Sequence, residues 1–348
     1  MRRPRVRRTT LRRGLPWLGI AVTTVFGYLA ARDVLWSEAW AAFRASNQWW
    51  LVPAFAALVV GVVLRAVRWR SLFAPDRRPP LTSTTSALLV WYFFNNVLPA
   101  RAGEAARIVA LHRTAGTSRA ELAATVVLER IFDVLSLVVL LLVASPWLPH
   151  VGWTTGAYVL AAGLGGACLL LVIAVAVWDD RPFRLLLRPL TLLPFLEEDR
   201  LGRAALNLTH GLAAIKRVRV ALAALIWTTL SWLALALSTW FVLVGFDLGL
   251  SPLAGLLVII AINLALIVPS SAAAVGVFEA ATMVALSAFG VARSTALSAA
   301  LVLHLLNLVP YLLAGGVILQ LVARRGHASA VGGLEPESKA HSRRANLS

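Results

Sequence analysis

The sequence predicts an all-α, polytopic integral membrane helical bundle with about six full spans and two interrupted or re-entrant segments. Three observations carry this expectation. Of 348 residues, 59% are hydrophobic and only 14% charged, where soluble domains average about 25% charged. Several apolar runs approach the ~20 residues that a helix needs to cross the hydrocarbon. No ten-residue alternation of apolar and polar positions suggests a barrel.

The formal charge of +17 would hint at nucleic acid in a soluble chain. Here the basic residues gather in particular loops, so the charge reads as membrane orientation and no nucleic-acid partner is expected. Only Lys216 and Lys339 among the 33 basic residues are lysine, a bias of coding composition. Cys168 is the only cysteine and lies within an apolar run. A disulfide, a cysteine-rich metal site and redox chemistry are therefore not expected, and neither is a cofactor.

Residues 2–13 carry seven arginines ahead of the apolar run Leu15–Ala31. A basic stretch before an apolar one suits a signal peptide, and Arg7-Arg8 even resembles a twin-arginine signal. The length of the run favours an uncleaved first helix behind a short basic tail, residues 1–14. A second span covers about Trp50–Trp69, with Arg65, Arg68 and Arg70 at its end, placed to snorkel toward headgroups. The apolar run Ser86–Phe94 is too short to cross. It leads into Asn95-Asn96, Pro99, Arg101, Gly103, Glu104 and Arg107, where a second half-span belongs. A helix broken in this way frees backbone groups that must be buried in protein or line a water-filled cavity. A plain helix end followed by an interfacial loop is the other reading.

Fuller spans follow at Glu121–Ser145 and Trp153–Trp178, the latter with Gly163, Gly165 and Gly166 permitting close helix approach. Residues 179–219 form the longest polar segment, expected as amphipathic helices on the membrane surface. Val220–Phe246 spans again. Leu253–Val268 runs into Pro269-Ser270-Ser271, Gly276–Phe289 follows, and Thr295–Val322 closes a membrane domain of residues 15–323. The polar tail 324–348 is expected to be disordered.

Basic-residue counts orient the chain. If 86–113 dips in and out from the cytoplasm, the cytoplasmic side holds residues 2–13 (seven Lys/Arg), 65–80 (five), 100–121 (four), 179–219 (eight) and the tail (five). That is 29 of 33, and both termini lie in the cytoplasm of a cell (plasma or inner) membrane protein. Residues 253–290 form two full spans or a hairpin dipping in from outside; both leave the C-terminus inside. The hairpin would make Asn95–Pro99–Gly103–Glu104 and Asn263–Pro269–Gly276–Glu279 an inverted pair.

Three constellations are candidates for binding a substrate. Glu129 and Asp133 share a helix face at i and i+4, midway through a span, where each charge costs a few kcal/mol unless paired or hydrated. Two such carboxylates need a cation, a proton or a basic headgroup; Arg130 points about 100° away. The alternative is a structural ion-pair cluster tying this helix to Arg101 or Arg107. Arg101, Glu104 and Arg107 stand at i, i+3, i+6 beside the break. Arginines there suit a lipid phosphate or serve as ordinary flanking charge. The small-residue stretch Pro269–Glu279, with Gly276, ends in a carboxylate among apolar residues, a site candidate or a packing device. His304 and Asn307 share a face of the last span, where a hydrogen-bonding role in packing is favoured. An enzyme is not expected. Ser270 and His304 come without a Gly-x-Ser-x-Gly, no metal-ligand spacing occurs, and only Asp33 and Glu38 offer acidic groups for a glycosyl transferase.

The motifs NNVLPARAGEAAR (95–107), LERIFD (128–133) and PSSAAAVGVFEAA (269–281), in this order along nearly the whole chain, resemble the lysylphosphatidylglycerol synthase transmembrane, or flippase-like, family. The resemblance implies a membrane domain that moves modified lipids between leaflets, and roles for Pro99, Arg101, Gly103, Glu104, Glu129, Arg130, Asp133, Gly276 and Glu279. The family often has Pro-Gly or Gly-Gly in the third motif, where Ala272-Ala273-Ala274 stand here. No aminoacyl-transfer domain follows the last span, so lysyl transfer is not expected of this sequence. With Asn96, Arg107 and Pro269 added from the residues themselves, these positions form the expected site. Its partner would be a membrane lipid. The competing expectation is a non-transporting scaffold for a separately encoded lipid-modifying or glycosyl-transfer enzyme.

Overall fold

A computed structural model describes residues 34–98, 103–149, 151–178, 217–267 and 272–332, together with Thr24, Val25 and Tyr28. Most of the expected first span and of the segment 179–219, and the candidates Pro99, Arg101 and Pro269, lie outside the described residues. Every described element is helical, as the apolar, strand-poor composition requires.

A short helix, α1 (Trp36–Ala45), not anticipated from the sequence, precedes α2 (Leu51–Ser71). The Asn47 side chain accepts a hydrogen bond from the Trp49 amide and so caps the single turn that opens α2. The helices α3 (Leu81–Val97) and α4 (Gly103–Ala115) form the first hairpin. The first of them begins five residues before the apolar run, because a polar Thr-Ser turn still hydrogen-bonds helically: Thr84 and Thr85 hydroxyls donate to carbonyls four residues back. Next come α5 (Arg119–Ala144), capped by the Ser118 hydroxyl, α6 (Gly152–Trp178) and α7 (Val218–Gly245). The second hairpin pairs α8 (Pro252–Ala265) with α9 (Val277–Ser287), and α10 (Arg293–Gly332) ends the described chain. That helix passes Arg324 and continues to Gly332, into residues expected to be disordered. Alanine and arginine in Ala323–Gly332 are good helix formers, and a long helix already nucleated extends cheaply.

Four helical stretches are long and apolar enough to cross a membrane: Gln48–Ser71, Gly152–Ala174, Val218–Gly245 and Arg293–Val322. The 26 residues of α5 are long enough as well, but Glu129, Arg130 and Asp133 interrupt its apolar face. Large apolar side chains such as Leu169, Leu170 and Val177 on α6 point outward, as lipid-facing positions do.

The most extensive packing joins α2 and α7. Gly61 makes their close approach possible, since a Cβ there would sit 3.1 Å from the Leu235 side chain. The last helix, α10, touches α3 on one side and α9 on the other, and so lies between the two hairpins. Gly315 lets it press onto α3, where a Cβ would come 2.7 Å from the Leu89 carbonyl oxygen. The single turn Ala272–Ala274, at the bend of the second hairpin, also contacts α3. The two interrupted segments therefore meet inside the bundle. Their meeting place is polar.

Candidate functional site

The end of α2 places Arg65 and Arg68 one turn apart on the stripe that faces the bundle, while Arg70 falls on the outer side and donates to the Pro79 carbonyl. The expectation that all three snorkel outward is thus corrected for two of them: Arg65 and Arg68 are buried. They turn inward because α5 presents carboxylates to them. Arg68 Nη1 donates to Asp133 Oδ1 at 2.5 Å, and its Nη2 lies 3.5 Å from Glu129 Oε2. From the first hairpin, Arg107 Nη1 donates to the same Glu129 Oε2 at 2.6 Å, and Nη2 sits 2.7 Å from Glu104 Oε2 without hydrogen-bond alignment. Arg130 bonds Glu104 and lies 3.5 Å from Asp133 Oδ2. Glu104, Arg107, Glu129, Arg130 and Asp133, separate candidates in the sequence, are one network with Arg68. The cation facing Glu129 and Asp133 is supplied by the protein's own arginines.

Aromatic rings wall this network. The Arg107 guanidinium stands 4.9 Å from the Trp69 ring centroid and 5.0 Å from that of Trp91, and Arg130 is 5.5 Å from Trp91. Such cation–π contacts are worth most where water is excluded. The Trp69 indole N–H donates to Thr125 at 2.9 Å, fixing the wall between α2 and α5. Arg65 stands apart. It donates to the Tyr92 hydroxyl at 2.6 Å and lies 4.5 Å from the Trp232 ring, but makes no ion pair among the described residues. Tyr92 in turn stacks on Tyr311 of α10, 3.9 Å between centroids.

The first hairpin closes on Asn95, whose side-chain carbonyl accepts the Gly103 amide at 3.1 Å. A Cβ at Gly103 would overlap the Trp91 carbonyl and the Asn95 side chain, so this candidate glycine has a geometric reason. Asn96 lines the cavity described below and donates to the Tyr92 carbonyl.

The second hairpin bends differently. Ala273 and Ala274 hold positive φ, 55° and 56°, and Gly276 follows at 82°. Only glycine adopts such angles at no steric cost; for alanine each costs about 1–2 kcal/mol. Two side chains brace the bend. Glu279 accepts the Gly276 amide at 2.7 Å through Oε2, and its Oε1 lies 2.5 Å from His304 Nδ1. His304 Nε2 meets the Ala273 carbonyl at 2.9 Å. A carbonyl oxygen only accepts, so Nε2 carries a proton, and the short Nδ1–Oε1 contact needs one more between the two groups. Whichever atom holds it, the Glu279–His304 pair is neutral as a unit. His304, expected mainly to pack helices, is thereby joined to the candidate Glu279 and to the strained bend.

One cavity of about 240 Å³ connects these features. Its walls include Arg65, Arg68, Arg107, Glu129 and Asp133 at one end and Ala273, Ala274 and His304 at the other, with Asn263 and Asn307 beside them. Pockets for drug-sized ligands run about 300–1,000 Å³. This one is smaller. Arg65, Arg68, Trp91, Tyr92, Trp232 and Tyr311, with Asn95, Asn263 and Asn307, line the cavity without having been expected as site members, whereas Asn96 is an expected one. The i, i+3 spacing of Arg65 and Arg68 was a usable signal; the tyrosine pair, far apart in sequence, left none.

Helices that cross a membrane, gathered around a buried charged cavity, define a multi-pass helical membrane protein. Residues 17–315 match the family described as the lysylphosphatidylglycerol synthase TM region, and the chain belongs to that family. A comparison with curated proteins finds no match.

Proposed function

We propose that this chain translocates a lipid or lipid-linked headgroup between leaflets, and that it does so without enzymatic chemistry of its own. The observation that carries this reading is the headgroup-sized cavity where the two hairpins meet, lined by four arginines within a chain of membrane-spanning helices. Charged side chains at membrane depth mark substrate pathways. Arg107, with Arg101 near it in sequence, engages phosphate from the cytoplasmic side. Glu129 and Asp133 hold the arginines in place, and Glu279 serves the opposite end.

The topology belongs to the same proposal: six full spans, two re-entrant hairpins and both termini in the cytoplasm of a cell membrane. In its support, α8 and α9 have 14 and 11 residues, about 21 and 17 Å at ~1.5 Å per residue. Neither bridges ~30 Å of hydrocarbon. Single cysteines in a Cys168→Ala background test it. Ala106→Cys is expected to label from the cytoplasm only and Ala273→Cys from outside only.

The functional test is leaflet transfer of a fluorescent lipid by the purified chain in liposomes. Glu129→Gln keeps the side-chain shape but leaves Arg107 and Arg68 without their shared carboxylate. It is expected to abolish transfer while helicity and membrane insertion persist. Wild-type transfer by a correctly inserted Glu129→Gln protein would falsify the role. The scaffold alternative predicts instead that deleting segment 179–219 harms function more than neutralising Glu129 and Asp133.

A further inference from the structure

We infer that the cavity selects a monoanionic phosphate ester carrying hydroxyl groups, and discriminates against aminoacylated or zwitterionic headgroups. The inference rests on the translocation reading for its setting but is carried by charge and hydrogen-bond inventories of its own.

Among the described residues, four arginines line the cavity, Arg65, Arg68, Arg107 and Arg130, against two lining carboxylates, Glu129 and Asp133, and a third, Glu104, paired to Arg107 and Arg130. The Glu279–His304 pair, sharing its proton, adds nothing. The site therefore carries one positive charge in excess, and Arg65 is the guanidinium that makes no ion pair among the described residues, donating instead to the Tyr92 hydroxyl. Taking such a charge out of water is costly unless a counter-charge accompanies it. One phosphodiester balances it. A lysyl-bearing headgroup would add positive charge and find every carboxylate already matched by arginine.

Hydrogen bonding points the same way. Arg65 Nε, Arg68 Nε, Arg107 Nε, Trp91 Nε1 and Trp232 Nε1 are buried N–H donors with no acceptor, against two carboxylate oxygens without an aligned donor, Glu129 Oε1 and Glu104 Oε2, the latter 2.7 Å from Arg107 Nη2. A surplus of donors suits a ligand rich in acceptors, and a phosphate ester is that ligand. Also on the lining, Asn96, Asn263 and Asn307 each donate one amide hydrogen to the carbonyl four residues back, on Tyr92, Ile259 and Leu303. Each keeps an amide oxygen and a second N–H for the cavity, a complement to hydroxyl groups.

The test is binding of defined lipids to the detergent-purified full chain by native mass spectrometry. The probes are phosphatidylglycerol, phosphatidylmethanol (the same charge without hydroxyls), phosphatidylethanolamine and lysylphosphatidylglycerol. Phosphatidylglycerol is expected to bind about tenfold or more tightly than the last two, and more tightly than phosphatidylmethanol. Arg65→Gln is expected to erase the preference, and Arg44→Gln, whose arginine lies over Trp40 outside the cavity, to keep it. Asn307→Ala provides a milder variant and should level phosphatidylglycerol with phosphatidylmethanol. Equal or tighter binding of lysylphosphatidylglycerol by the wild-type chain overturns the inference, as does an unchanged preference in a folded Arg65→Gln protein. Competition by soluble glycerophosphoglycerol, a phosphodiester of the same single charge, would show that the ester alone is recognised. Its failure, with phosphatidylglycerol still displaced by Arg65→Gln, would assign the site to the lipid. Selective binding without leaflet transfer sinks only the translocation reading, and transfer of lysylphosphatidylglycerol in preference to phosphatidylglycerol sinks only the selectivity.

Discussion

The two hairpins reach the same cavity but are held there by different physics. The first, α3–α4, is fastened by charge: Arg107 and Glu104 are tied into a network whose other members come from α2 and α5. The second, α8–α9, has one ionisable pair, Glu279–His304, and a bend that stores backbone strain at Ala273 and Ala274. A network of six charges has few alternative arrangements, because four of them, Arg68, Arg107, Glu129 and Asp133, are buried, and displacing one leaves others uncompensated in a low-dielectric site. A bend held by three hydrogen bonds against unfavourable φ angles is nearer to an alternative. On the proposed reading of function, the contrast would give recognition to the first hairpin and adjustability to the second.

The contrast breaks most visibly if the charge network is opened. Arg107→Ala leaves Glu129 and Glu104 short of a partner, and removing one member of a buried pair costs about 3–5 kcal/mol. A large drop in the thermal midpoint of the purified protein is expected, with part of it recovered in Arg107→Gln/Glu129→Gln. If the single variants lose less than the double, the ions are not coupled and the first hairpin is held by packing alone.

Steric closure of the same hairpin comes next. Gly103→Ala places a methyl group against the Trp91 carbonyl and Asn95, an overpacking worth about 1–3 kcal/mol. Gly116→Ala lies at the far end of α4, where a Cβ meets nothing within 4 Å. Its φ of +69° makes it a control for backbone strain rather than for fit. The first variant should lower both stability and phosphatidylglycerol binding, and the second stability alone.

At the second hairpin, His304→Ala removes hydrogen bonds to Glu279 and Ala273 together. Loss of buried partners costs roughly 1–3 kcal/mol, less than at the charge network because no fixed arginine is orphaned. Hydrogen exchange should show faster opening around residues 272–280 with the α3–α4 amides little changed. Equal acceleration in both hairpins would erase the distinction.

Much of this arrangement is legible in the sequence, for a stated reason. In a chain with so few charges, each polar island inside an apolar run signals a buried partner. Asn95, Asn96, Arg107, Glu129 and Asp133 line one cavity, and Glu279 pairs with His304 in its wall. What the sequence conceals is rotation about the helix axis. Arginines at the end of an apolar run look alike whether they reach for headgroups or turn inward, and Arg65 and Arg68 turned inward because carboxylates on α5 await them. His304 was similarly ambiguous, although Glu279 is its one acidic counterpart between residues 250 and 320. The left-handed alanines gave no signal of their own, since nothing about Ala-Ala-Ala foretells positive φ; the glycines that the family resemblance leads one to expect there were the hint.

Those alanines provide the smallest expected effect and the finest test of the comparison. Glycine at 273 relieves the Cβ clash of a left-handed φ, while the unfolded chain gains freedom, so Ala273→Gly should stabilise by no more than about 1 kcal/mol. The size of the gain depends on what holds Ala273 in that conformation. If the His304 hydrogen bond to its carbonyl does so, His304→Ala lets the alanine relax, and glycine then brings little further benefit. The two substitutions should be non-additive in a double-mutant cycle of thermal midpoints, with the glycine gain largely confined to the His304 background. Strict additivity would mean that packing against α3 sets the bend by itself. The second hairpin would then be as rigidly placed as the first, held by sterics where the other is held by charge.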